Sequence, residues 1–139
     1  MDLKKIGNFG EKIACYYLEK KGYKILDRNY SRKWSGGPQK GEIDIITEKD
    51  KVISFVEVKT SAFSGGFMPA RLNFARQNFG GPEDRVDFRK QKQLIKLAQD
   101  WLVEKKIPLD SKWQIDVISI KIDLNTKKAK IRHFKNAVF

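Results

Sequence analysis

Gly41-Glu42-Ile43-Asp44-Ile45-Ile46-Thr47-Glu48, the polar tip Lys49-Asp50-Lys51 and Val52-Ile53-Ser54-Phe55-Val56-Glu57-Val58-Lys59 decide how this chain folds. Both runs are rich in Ile, Val and Phe, whose branched or flat side chains suit a pleated strand, and the tip between them supplies the turn. They predict a hairpin with strands over residues 42–48 and 52–59. Ile43, Ile45, Val56 and Val58 fall on one face and Ile46, Ile53 and Phe55 on the other, the pattern of a sheet covered on both sides.

Three charges interrupt these apolar runs. Glu57 and Lys59 are two residues apart in a strand, so they project on one side while Val56 and Val58 point opposite. Asp44 stands among isoleucines where a strand should be buried, a costly place for a carboxylate. A two-residue turn at Asp50-Lys51 would pair Lys49 with Val52, Ile46 with Phe55 and Asp44 with Glu57, and the three charges would converge. A three-residue turn centred on Asp50 would keep that parity only with a bulge. Two ionised carboxylates so close repel each other, and a site that keeps both usually binds a hard divalent cation through oxygen. With a lysine beside them, that is apparatus for hydrolysing a phosphodiester; a strand-to-strand salt bridge among Asp44, Glu57 and Lys59 is the alternative.

Outward from the hairpin, Ile6, Phe9, Ile13, Ala14 and Tyr17 recur at helical spacing and Gly22 follows as a stop, predicting a helix over about residues 6–21. Residues 23–26 read as a short strand and 28–40, with Gly36-Gly37-Pro38, as a basic loop. From Thr60 to about Arg85 periodicity disappears, so 60–85 reads as a long loop rich in Phe, Arg and Gly. Leu94, Leu97, Ala98, Trp101 and Leu102 then mark a second helix, about residues 87–105, and two strands over 113–122 and 129–134 close the chain. The order is α-β-β-β-α-β-β in one α/β domain spanning residues 1–139, a mixed sheet flanked by helices.

Lys and Arg total 29 against 17 Asp and Glu, a formal charge of +12, so the surface should attract polyanions, nucleic acid first. The single cysteine, Cys15, excludes an internal disulfide and any Cys-based zinc cluster, and reads as a small apolar filler. No stretch approaches the roughly 20 apolar residues of a membrane helix, and the start lacks a signal peptide's apolar region, so a soluble, cytoplasmic protein is expected. Phe63, Phe67, Phe74 and Phe79 alternate with Arg71, Arg76 and Arg85, a mixture suited to stacking on bases while neutralising phosphates, to self-association as a homodimer, or to core packing. Arg32, Lys33, Trp34 and Lys40 make a second basic candidate surface, with Trp34 the one tryptophan placed for stacking. His133 has no partner near it in sequence and reads as structural or surface.

Gly41-Glu42-Ile43-Asp44 followed by Phe55-Val56-Glu57-Val58-Lys59 resembles the site of the PD-(D/E)xK, or restriction-endonuclease-like, superfamily. With Gly7-Asn8-Phe9-Gly10-Glu11, Ala14, Arg28-Asn29, Lys90-Gln91, Ala98 and Asp116-Val117-Ile118, nearly the whole chain resembles the YraN-like family of predicted endonucleases, related to archaeal Holliday junction resolvases. The resemblance implies Mg²⁺ or Mn²⁺ held by Asp44, Glu57 and the backbone carbonyl of Val58, with Glu11 from the first helix as a further ligand. It implies that Lys59 orients or activates the attacking water, and that Lys90 of the second helix reaches a phosphate. Departures are Ile43 where the superfamily often has Pro, no arginine at Thr60-Ser61, Gln114 in place of an arginine, and a longer 60–85 loop. The expected function is a metal-dependent endonuclease acting on DNA, branched or structured DNA included; the alternative is a nucleic-acid-binding module that keeps the fold without turnover.

Overall fold

In the computed structural model Lys49 pairs with Val52, Ile46 with Phe55 and Ile45 with Val56. The turn residues Asp50 and Lys51 both have positive φ, 52° and 65°, the two-residue geometry whose twist matches paired strands. The structure describes residues 2–32, 41–63, 86–108 and 110–138. Its elements are α1 (Leu3–Lys20), β1 (Lys24–Tyr30), β2 (Ile43–Lys49), β3 (Val52–Phe63), α2 (Phe88–Glu104), β4 (Lys112–Asp123) and β5 (Lys128–Val138).

The strands form one five-stranded sheet in the order β1-β2-β3-β4-β5, parallel between β3 and β4 and antiparallel elsewhere. A parallel neighbour needs a crossover, and α2 lies in the connection that takes the chain from β3 to β4. Leu94, Leu97, Ala98, Trp101 and Leu102 of α2 pack on Ile46, Ile53, Phe55, Ile115 and Val117. On the opposite face Ala14 and Leu18 of α1 pack on Ile45, Val56, Ile118, Ile120 and Ile122. Periodicity thus found both helices, and the α/β class with its mixed sheet and two flanking helices holds.

Several boundaries differ from expectation. β3 does not end at Lys59 but runs to Phe63, so residues 60–63 are strand, not loop; the parallel ladder with β4 continues unbroken from Val52–Lys112 to Phe63–Asp123. β1 runs on to Tyr30, past the expected end at Leu26, because Asp27, Arg28 and Tyr30 pair with Ile46, Ile45 and Ile43. Helix α1 starts earlier, at Leu3, because Asp2 caps it, its Oδ1 accepting from the Lys5 amide at 2.8 Å. Ile43 packs on the α2 face, not with Ile45 on the α1 face. Face alternation is broken there because β2 leaves the hairpin ladder after Ile45, while its β1 neighbour Asn29 is held at φ 52°. The expected loop contacts Lys33, Trp34, Lys40, Phe67, Arg71, Phe74, Arg76, Phe79 and Arg85 lie outside the described residues.

Candidate functional site

A continued hairpin ladder would set Ile43 opposite Val58. Instead the side chain of Asp44 enters that position, its Oδ2 accepting from the Val58 amide at 2.7 Å. N–H and C=O of one strand residue point to the same edge, so the Val58 carbonyl also faces the gap that β2 leaves beside Asp44. This is a local reason for a carboxylate in an apolar strand: it replaces a backbone acceptor where the two strands part.

Glu57 stands on the α2 side, where its Oε1 lies 3.6 Å from the Lys90 amine in the first turn of α2. Its Oε2 is buried without a hydrogen-bond partner. Burial raises the Glu57 carboxyl, while Lys90 and Lys59 pull it back down. Asp44 is 7% exposed, and burial, followed by the charge of Glu57, pushes its carboxyl up to about 8. The charge of Glu57 thus acts on Asp44 and that of Lys59 on Glu57, although the expected pairing of Asp44 with Glu57 is not formed, because the ladder ends at Ile45–Val56.

Helix α1 reaches the same place because Gly10 is buried against Thr60 of β3. A Cβ there would overlap the Thr60 side chain, whose branching leaves it little room to turn aside. The close approach sets Glu11 beside the sheet. Carboxylate oxygens of Glu11, Glu42 and Asp44 lie within 4.8 Å of one another. Asn29 ties two of these acids together: its Nδ2 donates to Glu11 Oε1 at 2.8 Å and to Glu42 Oε1 at 3.3 Å, while Arg28 lies 3.7 Å from Glu11.

Glu42 is absent from the residues singled out as ligands in the sequence. The signal was present, since Glu42 precedes Asp44 by two within the expected strand 42–48, although β2 itself begins one residue later, at Ile43. Arg32 does not join the site: it lies 3.9 Å from Asp100, ten residues along α2 from Lys90 and so about 15 Å away along the helix axis. Trp101 is a buried core residue, donating to Asp27 Oδ2 at 3.2 Å, while Trp113, partly buried, packs against the core on Phe55.

Residues 10–120 match the family described as "Uncharacterised protein family UPF0102". The chain belongs to UPF0102. Its UPF0102 relatives include proteins of Alkaliphilus oremlandii, 39% identical over 96% of this chain and 97% of theirs, and of Clostridium beijerinckii, 37% identical over 96% and 93%. A third, from Caldanaerobacter subterraneus, is 37% identical over 96% of this chain and 94% of its own. Among the described residues, no helix of this UPF0102 chain is long and apolar enough to cross a membrane.

The donor set of this UPF0102 chain fits a hard divalent cation on three observations. Asp44 is a buried carboxylate beside partly buried Glu57, a desolvated and mutually repelling pair that a cation would relieve, Glu57 Oε2 lacks a hydrogen-bond partner, and the oxygens of Glu11, Glu42 and Asp44 converge. A stability prediction follows from the burial of the Asp44 carboxylate and, second to it, the charge of Glu57. Asp44 releases its proton near 3.8 when unfolded and near 8 when folded, so between those values the folded chain holds a proton the unfolded chain has lost. That contribution to stability falls as pH rises through the window. In chelator, Asp44→Asn keeps the acceptor for Val58 and removes the charge. It should therefore melt above wild type at pH 8, by about 2 kcal/mol or more, with the gap closing toward pH 4. A variant that melts below wild type at pH 8 would show that neither burial nor the charge of Glu57 burdens the Asp44 carboxylate.

Proposed function

We propose that this UPF0102 protein is a metal-dependent endonuclease of the PD-(D/E)xK type, acting in the cytoplasm on the phosphodiester backbone of DNA, branched or structured DNA included. The observation that carries this reading is buried Asp44 beside partly buried Glu57, with Lys59 acting on Glu57, where β2 parts from β3. Asp44, Glu57, the Val58 carbonyl and Glu11 would hold Mg²⁺ or Mn²⁺, and Glu42 joins them by position. Such an ion supplies Lewis acidity toward a phosphoryl oxygen and a bound water of lowered pKa.

The chain's own residues do the rest. Lys59 projects on the side of Glu57 and orients the water that attacks phosphorus. Lys90, now facing Glu57, is placed to exchange that carboxylate for a phosphate oxygen. Asn29 and Arg28 hold Glu11 in a fixed orientation, which a hard cation with strict geometry requires. The excess of 12 positive charges favours reading backbone and shape over base sequence.

A second reading, a binding module without turnover, is favoured by the Lys90–Glu57 contact, since an amine there already balances part of the acidic charge. Cleavage over linear, single-stranded, flapped and four-way-junction DNA, titrated with Mg²⁺ and Mn²⁺, separates the two. Metal-dependent products are the expected result; none on any substrate with either metal would leave the binding module. Binding should weaken steeply with salt, as counterions released by several phosphate contacts drive it. A flat response between low and physiological salt would count against any phosphate-tracking surface.

A further inference from the structure

Helix α1 meets the sheet on one side only. Gly10, Ala14 and Leu18 are buried, and Ile13 and Tyr17 pack beside them on the sheet. On the side turned away stand Lys5, Phe9, Lys12, Tyr16 and Lys20, at steps of four, three, four and four residues, the spacing that keeps side chains in one row along a helix. All five are exposed, Phe9 by 46% and Tyr16 by 63%. Cations and rings therefore alternate from Lys5 to Lys20, along about 22 Å of helix. Lys20 brings its amine 5.0 Å from the centre of the Tyr16 ring, a cation–π contact that steadies a ring still largely open to solvent. No acid stands in the row: Glu11 turns to the acidic centre, and Glu19 borders the row on the side of Cys15 and Arg28 of β1.

A face of alternating rings and amines suits some occupants and not others. A second copy packed on it about a two-fold axis would run antiparallel, setting Lys5 against Lys20 and Lys12 against its own copy, like charges with no acid between them. A bilayer takes up the apolar stripe of an amphipathic helix, and in α1 that stripe is already buried on the sheet. A duplex offers its phosphates but keeps its bases stacked. A single nucleic-acid strand offers both components, base faces for the rings and phosphates for the amines, to a chain with 12 excess positive charges.

We infer that the outward face of α1 binds a single-stranded segment of nucleic acid, with Phe9 and Tyr16 stacking on its bases and Lys5, Lys12 and Lys20 meeting its phosphates. The same helix carries Glu11 into the acidic centre, so a strand on its outer face passes within about one helix diameter, about 10–12 Å, of that centre. The inference rests on the nuclease reading for what the strand is brought to, where it selects substrates with an unpaired stretch beside the site, but not for binding itself.

Anisotropy of the full chain on labelled oligo(dT) and on a blunt duplex of equal length, in chelator and across a salt series, reads binding without turnover. Phe9→Ala with Tyr16→Ala should weaken oligo(dT) binding at least about tenfold, since one base–ring stack is worth about fivefold or more in affinity. Its salt slope should not change, because no charge is lost, and duplex binding should fall no more than about threefold. Lys5→Gln with Lys12→Gln should instead make the slope on oligo(dT) shallower by about 1.4. Phe9→Tyr with Tyr16→Phe keeps both rings and should bind as wild type does, as should Phe88→Ala, which removes a 70% exposed ring from α2. These are surface substitutions, so melting temperatures should agree within about 4 °C.

A double-alanine variant that binds oligo(dT) within about twofold of wild type would overturn the inference. So would an equal loss in Phe88→Ala or an equal loss on the duplex. Loss of binding to phosphatidylserine vesicles, or of self-association, with oligo(dT) binding unchanged would give the face to a membrane or to a second copy and overturn it as well. A wild type that holds oligo(dT) through these rings yet cleaves nothing with Mg²⁺ or Mn²⁺ would overturn the nuclease reading alone.

Discussion

Asp44→Asn is expected to cut phosphodiester cleavage at least about a hundredfold, roughly 3 kcal/mol on the barrier, while leaving DNA binding intact. The side chain has two jobs, and the substitution separates them. Asparagine can still accept from the Val58 amide, so β2 and β3 part as before and the fold survives. What disappears is the negative charge that, with Glu57, attracts a divalent cation. Removing one negative charge from a chain of net +12 should leave phosphate contacts intact or slightly strengthened. Lys59→Ala should fail differently, slowing the chemical step while the metal still binds, because its amine is an orienting group and not a ligand. Single-turnover cleavage with metal titration, alongside anisotropy on the same DNA, reads both variants. Asp44→Asn cleaving within a few-fold of wild type would remove Asp44 from the metal centre.

The second large effect is on stability, and its source lies on the other face of the sheet. Asp116 is fully buried, and its oxygens meet three partners: His133 Nε2 at 2.8 Å, the Asn136 amide at 2.8 Å and Gln114 Nε2 at 2.9 Å. His133 is itself 3% exposed, its ring set edge-on to Tyr17 and its Nδ1 3.3 Å from the Tyr17 hydroxyl. Asp116→Ala leaves a buried imidazole, an amide N–H and a side-chain amide without their acceptor. The expected loss is about 3 kcal/mol or more, a fall in Tm of about 10 °C for a chain this size. Cleavage by the remaining folded protein at low temperature should stay within several-fold of wild type, because Asp116 faces α1 while Glu57 and Lys59 face α2. A Tm within about 2 °C of wild type would mean that the network carries little of the stability.

The network also marks where sequence reading stopped. His133 and Asp116 are 17 residues apart and Tyr17 is 116 residues from His133, so only the pairing of β4 with β5 and the packing of α1 bring them together. The expectation of a structural histidine was right in kind, yet its partners had no local signature. Glu42 was missed for a similar reason. Its value lies in Glu11 and Asn29, brought to it by α1 and β1, and not in its neighbours along the chain.

The sequence by itself determined the hairpin with its two-residue turn and the two amphipathic helices. Each follows from a short-range rule: period two in strands, period 3.6 in helices, and a two-residue turn that sets register. Tertiary structure alone decided how far the strands run and which acids converge with Asp44. Those are relations between elements distant in sequence, set by the parallel pairing of β3 with β4 and by the close approach of α1 at Gly10. No local pattern of residues encodes them, because the free energy that selects them comes from burying two faces of one sheet at once.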